Sequence, residues 1–216
     1  TFIYNAAEVK DSLAVGNSFV EYVEGIYVGY KFSDTAYVMD PNFYYDEAVV
    51  FPFGHGLSYT SFEQTLDSCR IVGDEVVVTV TVTNTGDVDG KEVVQLYYEA
   101  PYPEFDEEYS IEKAVKNLVA FAKVEVAAHA SVPVTLSFPV EDMASYCYTR
   151  DNGDGTKGAY VLEEGEYNIY RGKNSHDSYG EETVTRGSTV WFDNSNPRQS
   201  ETDGQSLLDD RGEPLG

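Results

Sequence analysis

The stretch Glu75-Val-Val-Val-Thr-Val-Thr-Val-Thr-Asn84 constrains the fold more than any other in the chain. Valine recurs at every second place from Val76 to Val82, and from Thr79 onward threonine fills the places between. Successive side chains of a β-strand point to opposite faces, so this pattern specifies one apolar face and one polar face. β-Branched residues are stiff at χ1 and suit a pleated surface better than a helix. A sheet with one dry face must bury it against another layer.

The sequence downstream supplies that layer. Asn84-Thr-Gly-Asp-Val-Asp-Gly90 is a turn built from residues that tolerate positive φ or bond their own backbone. Glu92 to Tyr98, Leu118 to Val126 and Val132 to Phe138 read as further strands. Glu141 to Tyr146 reads as a short helical turn leading into a strand, and Asp151-Asn-Gly-Asp-Gly155 as a hairpin tip. Tyr160 to Leu162 and Gly165 to Tyr170 close the set. About seven short strands over roughly 110 residues fit an immunoglobulin-like two-sheet sandwich. The pattern leaves the strand topology open. With 18 Tyr and 11 Phe, the chain is also rich in residues that favour half-buried strands.

The flanks are patterned less clearly. Phe19 to Phe32 reads as a strand, with Val20, Tyr22, Ile26, Val28 and Tyr30 alternating and Gly25 and Gly29 interrupting. Residues 33–50 form a Tyr- and Asp-rich connection. Phe51 to Thr60 is punctuated by glycine and turns the chain from one domain into the next. After Ser175 the sequence becomes polar and acidic. Thr183 to Phe192 reads as one more strand, and Asn194 to Gly204 has linker composition.

Charge narrows the partners. Thirty-eight acidic against 14 basic residues give a net charge of −24. Such a field repels phosphate backbones and anionic lipid surfaces, which argues against nucleic-acid and membrane partners. It is compatible with a neutral ligand such as a sugar, and equally with a charge that serves only solubility. No apolar run approaches the ~20 residues of a membrane-spanning helix. Cys69 and Cys147 are too far apart to form a metal-ligand pair and read as reduced structural thiols. A bridge between opposite sheets is the alternative. Reduced thiols in an acidic chain favour a bacterial cytoplasm.

Two further segments carry a resemblance. Glu21-Tyr-Val-Glu-Gly-Ile-Tyr-Val-Gly-Tyr30 and Phe51-Pro-Phe-Gly-His-Gly-Leu-Ser-Tyr-Thr60, in this order, resemble the end of the second domain of family 3 glycoside hydrolases, the β-glucosidase-like enzymes. Val82-Thr-Asn-Thr-Gly86, Gly90-Lys-Glu-Val-Val-Gln-Leu-Tyr97, Lys116-Asn-Leu-Val-Ala-Phe121 and Gly165-Glu-Tyr-Asn-Ile-Tyr170 resemble the fibronectin type III-like domain that follows it there. The fold class implied is mainly β: an immunoglobulin/fibronectin type III-like β-sandwich preceded by a remnant of an α/β sandwich domain. The division implied is 1–60 for the tail of the α/β domain, 61–176 for the fibronectin-like domain, and 177–216 for an extension. Tyr4, Glu21-Tyr-Val-Glu24 and Asn194-Ser-Asn196 resemble a reordered subgroup in which a barrel domain comes last, so Leu207 to Gly216 is expected to lead toward that barrel.

The resemblance implies a parent enzyme that cleaves terminal β-glycosidic bonds with retention, using two carboxyl groups about 5 Å apart. In the family the nucleophilic Asp lies on the barrel within Ser-Asp-Trp, a tripeptide absent from this sequence. The acid/base Glu lies upstream of the segment matching Glu24 to Tyr30. No catalytic residue is therefore expected here, and the chain reads as a non-catalytic portion whose sandwich stabilises or assembles the catalytic domains. Its partners would be those domains and, through them, a β-glucoside or oligosaccharide, with a homo-oligomer also open. The other reading is a freestanding sandwich that binds carbohydrate or protein.

Within this frame, Glu24 stands near the sugar site of the intact enzyme or is a structural carboxylate bonding nearby backbone. His55, between Gly54 and Gly56, is expected to pack in a tight domain junction rather than to act in catalysis. His129 and His176 lie in loops or at strand ends without metal-ligand spacing. Asp87-Val-Asp-Gly90 and Asp151 to Gly155 lack the ligand spacing and closing Glu of a calcium loop, and no organic cofactor or metal is implied. The segment Ala100 to Tyr109 is long for a hairpin and carries Tyr102, Phe105 and Tyr109. Either these aromatics lean toward the catalytic domains and shape an outer substrate site or an oligomer contact, or they cover the sandwich's own core.

Overall fold

The computed structural model describes residues 25–198. Among the described residues two helices, α1 (Tyr30–Met39) and α2 (Tyr45–Ala48), precede ten strands. The strands are β1 (Phe62–Val72), β2 (Glu75–Asn84), β3 (Gly90–Glu99), β4 (Asn117–Val126), β5 (Ser131–Pro139), β6 (Ser145–Asp151), β7 (Lys157–Leu162), β8 (Gly165–Gly172), β9 (Ser178–Arg186) and β10 (Val190–Phe192). A short helix, α3 (Glu104–Tyr109), interrupts the β3–β4 connection, and a 3-10 turn at Val140–Met143 leads into β6. All pairings are antiparallel. They form three sheets in the orders β1-β2-β5, β4-β3-β8-β9 and β10-β7-β6.

The main core lies between the first two sheets. Val76, Val78, Val80 and Val82 of β2 meet Val94 and Leu96 of β3 and Tyr167 and Ile169 of β8, all buried. Each such valine contributes about 1.5–3 kcal/mol by leaving water. The other face of β2 is polar. There Thr79 bonds Thr135, Thr83 bonds Ser131, and Thr81 donates to Asp67. Pro133 and Pro139 sit on β5, an edge strand, where a missing N–H costs no ladder bond. A second, smaller cluster of Ile111, Cys147 and Val161 is capped by Phe105, Tyr109 and Trp191. Cys69 packs on the main core and Cys147 in the second cluster, so the two thiols are free and apart.

Two expectations need correction. The part of Phe19 to Phe32 that the structure describes is a turn at Gly25 to Gly29 followed by the start of α1, not a strand. Tyr30, Ser33, Asp34 and Tyr37 share one helical face, and that period of 3.6 wins over the apparent alternation of Ile26, Val28 and Tyr30. The stretch read as a single strand from Thr183 to Phe192 is two strands in different sheets: β9 on β8, and β10 on β7. Strands therefore continue past residue 176, β9 beside β8 and β10 beside β7.

Asn84, at the end of β2, is the structural anchor of the Val82 to Gly86 motif. It is fully buried, and all its hydrogen-bonding capacity is used. Its Nδ2 donates to the carbonyls of Val88 and Val126 at 2.8 and 3.0 Å. Its Oδ1 accepts from the Thr60 hydroxyl at 2.6 Å and the Gly86 amide at 3.1 Å. One side chain thus ties the last residue of the Phe51 to Thr60 segment to a sandwich turn.

Candidate functional site

Residues 25–60 lie on the sandwich through a set of directed polar contacts. The Leu118 amide donates to the Tyr30 hydroxyl at 2.8 Å, and the Val115 amide donates to Thr35 Oγ1 at 3.1 Å. Leu118 pairs with Tyr97 beside the shift in the β3–β4 register between Leu96 and Tyr97. Further along, the Ser175 amide donates to the Phe53 carbonyl at 2.8 Å, and Gln95 Nε2 donates to the Gly54 carbonyl at 3.1 Å. Gln95 Oε1 in turn accepts from the Tyr97 hydroxyl at 2.8 Å. A Cβ at residue 54 would run into Gln95 Oε1, and the φ of +79° strains any residue with a side chain, so the approach favours glycine. Tyr30 stacks on Phe53, with ring centroids 4.7 Å apart.

The centre of this junction is a buried carboxylate against an imidazole. Asp34 Oδ1 lies 3.0 Å from His176 Nδ1. The Tyr45 ring stacks on the imidazole at 3.7 Å, and the Tyr37 ring meets it edge-on at 4.7 Å. Burial, reinforced by the Asp34 charge, pushes the Tyr45 phenol up from its ordinary value. Burial also raises Tyr30 and lowers the Lys31 ammonium. His55 is exposed and stacked on Phe51 at 5.2 Å, in a turn closed by its own amide on the Pro52 carbonyl.

The opposite side of the same segment is apolar and open. Val38, Met39, Val50 and Leu57 are 61, 72, 86 and 94% exposed, and Phe32, Tyr44, Phe51 and Tyr59 are exposed with them. An open cleft of about 640 Å³ runs between α1 and the residues after α2, lined by Tyr30, Phe32, Phe43, Val49 and Phe51 among others. Isolated exposed apolar residues are ordinary, whereas so many within one short segment are not.

The β3–β4 connection divides the aromatics singled out from sequence. Phe105 and Tyr109 turn inward onto Trp191, with centroids 5.7 and 5.6 Å from it, and cover the second cluster. Tyr102 is exposed, its hydroxyl donating to the Ile111 carbonyl at 3.2 Å. Glu24 lies outside the described residues, as do Tyr4 and Leu207 to Gly216. The Tyr27 hydroxyl reaches the Lys113 carbonyl at 3.5 Å, which brings Tyr27 against the connection that holds Tyr102.

Beneath that connection is a group of charges that spacing does not reveal. Lys113, Asp106 and Glu163 have side chains only 6, 0 and 2% exposed. Lys113 Nζ lies 2.7 Å from Asp106 Oδ2 and 2.9 Å from Glu163 Oε1, and donates to the Pro101 carbonyl at 2.7 Å. Burial pushes the Glu163 carboxyl above the usual range, and Lys113 opposes the shift. Among the described residues no group of three or more His, Cys, Asp or Glu could hold a metal ion. Asp34 and His176 are 142 positions apart in sequence, and no motif links them.

The comparisons with known proteins agree with this architecture. A fibronectin type III-like domain matches residues 92–175. β-Glucosidase A of Butyrivibrio fibrisolvens is 37% identical over 178 residues, covering 75% of this chain and 20% of the relative. The structure of β-glucosidase 3B from Thermotoga neapolitana in complex with α-D-glucose superposes with a TM-score of 0.62 at 34% identity, over 80% of this chain and 21% of that one. A GH3 β-glucosidase from Bifidobacterium adolescentis superposes with a TM-score of 0.61 at 32% identity, over 77 and 22%. The chain spans about a fifth of the length of these proteins. The match extends beyond the sandwich into the segment docked on it. The chain belongs to glycoside hydrolase family 3, of which it carries the fibronectin type III-like domain and the stretch that leads into it.

Proposed function

We propose that the chain braces the catalytic domains of a β-glucosidase-like enzyme and supplies no reacting group itself. Residues up to 60 are the end of the α/β domain, and the residues from 61, with β9 and β10, form the sandwich that holds that end in place. The extension after Phe192 leads toward a barrel. The parent would hydrolyse terminal β-glucosidic bonds with retention, its two carboxyl groups coming from the other domains. One observation carries this reading: α1 buries Ser33 and Asp34 against the sandwich while Val38 and Met39 face solvent. A helix is ordinarily apolar on its buried side. Here the apolar side is turned away from the chain's own core, which suits a surface completed by the rest of an α/β domain.

Tyr102 and Glu24 belong to the same reading as residues near that interface. Phe105 and Tyr109 serve the sandwich instead. Assaying the purified chain on an aryl β-glucoside tests the proposal. No turnover is expected, and turnover that survives repurification of the chain would overturn it. Titration with cello-oligosaccharides distinguishes a brace, which gives no saturable heat, from a freestanding carbohydrate-binding module.

A further inference from the structure

Three contacts seat the start of the docked segment, and all fall on one short ledge of backbone. Tyr27 reaches the carbonyl of Lys113, Thr35 accepts from the amide of Val115, and Tyr30 accepts from the amide of Leu118. The ledge leaves the second cluster at Ile111 and enters β4 at Asn117. Sheet pairing holds Asn117 and Leu118 against Tyr98 and Tyr97 and stops there, so it does not fix residues 112–116.

Asn117 Nδ2 donates to the Ala114 carbonyl and Lys116 Nζ to the His176 carbonyl, and Lys113 anchors the buried side of the middle. Its ammonium gathers the Pro101 carbonyl at the start of the connection, Asp106 within α3, and Glu163 at the β7–β8 turn. Asp106 is held in turn, since its carbonyl accepts from the Ile111 amide at 2.9 Å and Ser110 takes a left-handed conformation to end α3. Glu163 also accepts from the Tyr167 hydroxyl at 3.3 Å, which links the cluster to the main core. One ammonium with two carboxylates is an expensive interior, because each desolvated ion costs several kcal/mol before pairing. Packing alone would be met better by apolar side chains. A directed cation that draws three separate elements to one point does what apolar side chains cannot.

We propose that Lys113 is the positioning residue of the domain junction: by holding Pro101, Asp106 and Glu163 together, it sets the height and angle of the 113–118 ledge on which the end of the α/β domain is seated. This rests on reading residues 25–60 as the end of that domain, although the contacts themselves lie within the chain. In some proteins a buried ion cluster specifies one arrangement over alternatives, and that is the role proposed for this one. Lys113 would thereby fix how the sandwich presents Tyr102 and the apolar surface beside it.

Amide hydrogen exchange on the full chain tests this without reference to catalysis. The variant replaces Lys113→Met, Asp106→Asn and Glu163→Gln together, leaving no unpaired buried charge. The Val115 and Leu118 amides should exchange at least about tenfold faster relative to the β2 amides, as a locally opened region does while the core stays closed. An unchanged ratio, or a loss of protection in step with β2, overturns the proposal. A second variant, Asp106→Asn alone, leaves a balanced Lys113–Glu163 pair and should quicken the same two amides to a smaller extent. Unchanged rates there overturn the proposal even if the triple variant fails to fold.

Discussion

In β2 the buried side chains are Val76, Val78, Val80 and Val82, and the side facing water is lined by threonines bonded to Thr135, Ser131 and Asp67. In α1 the buried side chains are Ser33 and Asp34, and the side facing water carries Phe32, Val38 and Met39. One element uses its apolar face to fold the chain. The other spends hydrogen bonds to hold on to the chain and keeps its apolar face for something else. The difference has an energetic meaning. Burial of valines is non-directional and proportional to area, so it stabilises any well-filled core. A docked surface held by Tyr30, Thr35, Asp34 and Gly54 contributes less per contact, because each hydrogen bond replaces one with water. Those bonds are geometrically selective, however. They fix where the segment sits rather than how tightly the whole chain folds.

The largest way to test the contrast is to damage the sandwich. Leu96 is fully buried between the two sheets. Leu96→Ala should cost about 2–5 kcal/mol, combining lost transfer energy with a residual cavity. Urea unfolding checks it, and a shift in midpoint without a change in slope is expected. A cost below about 1 kcal/mol would mean that the interface between the sheets collapses freely and that the core is not the rigid partner in the comparison.

A smaller effect appears as a pH dependence. Burial raises the folded-state pKa of Glu163 above its unfolded value. The folded chain therefore binds a proton more tightly than the unfolded chain does. That contribution is fully present below the ordinary glutamate pKa, near about 4.3, and is lost as pH rises through the raised folded value. Glu163→Gln removes the titrating group and leaves the Lys113–Asp106 pair in place. Unfolding midpoints taken across this window should fall less steeply with pH in the variant than in the parent chain. Parallel curves would show that Glu163 carries no linked proton.

The contrast also explains what could be read from the sequence. β2 was legible because its Val/Thr alternation and its structure obey the same rule: apolar inside, polar outside. The turn after Asn84 was legible for a similar reason, since its residues act within a few positions of one another. α1 was not, because the residues it buries are polar, and Ile26, Val28 and Tyr30 imitate a strand just before it. In the β3–β4 connection the sequence shows three aromatics, but only the fold sends Phe105 and Tyr109 to Trp191 and leaves Tyr102 outside. His176 and Lys113 are single residues without spacing, and their roles come from partners on other elements: Asp34 in α1 for one, Glu163 at the β7–β8 turn for the other. Local rules reach across a hairpin. They do not reach across a domain junction.

The smallest expected effect on stability is the one that bears most directly on the outward face. Val38 and Met39 are 61 and 72% exposed. Val38→Ser with Met39→Ser should leave the urea midpoint of the chain within about 0.5 kcal/mol of the parent, as surface changes generally do. The same variant should bind less of a fluorescent hydrophobic dye and associate less with itself, because it removes part of a contiguous apolar surface. A destabilisation above about 1 kcal/mol would place these side chains in the chain's own packing, and the inversion between β2 and α1 would disappear. Unchanged dye binding together with unchanged stability would mean that the exposed apolar residues do not act as one surface. Only reduced dye binding at constant stability separates the two uses of apolar area, one that folds this chain and one that stays on its surface.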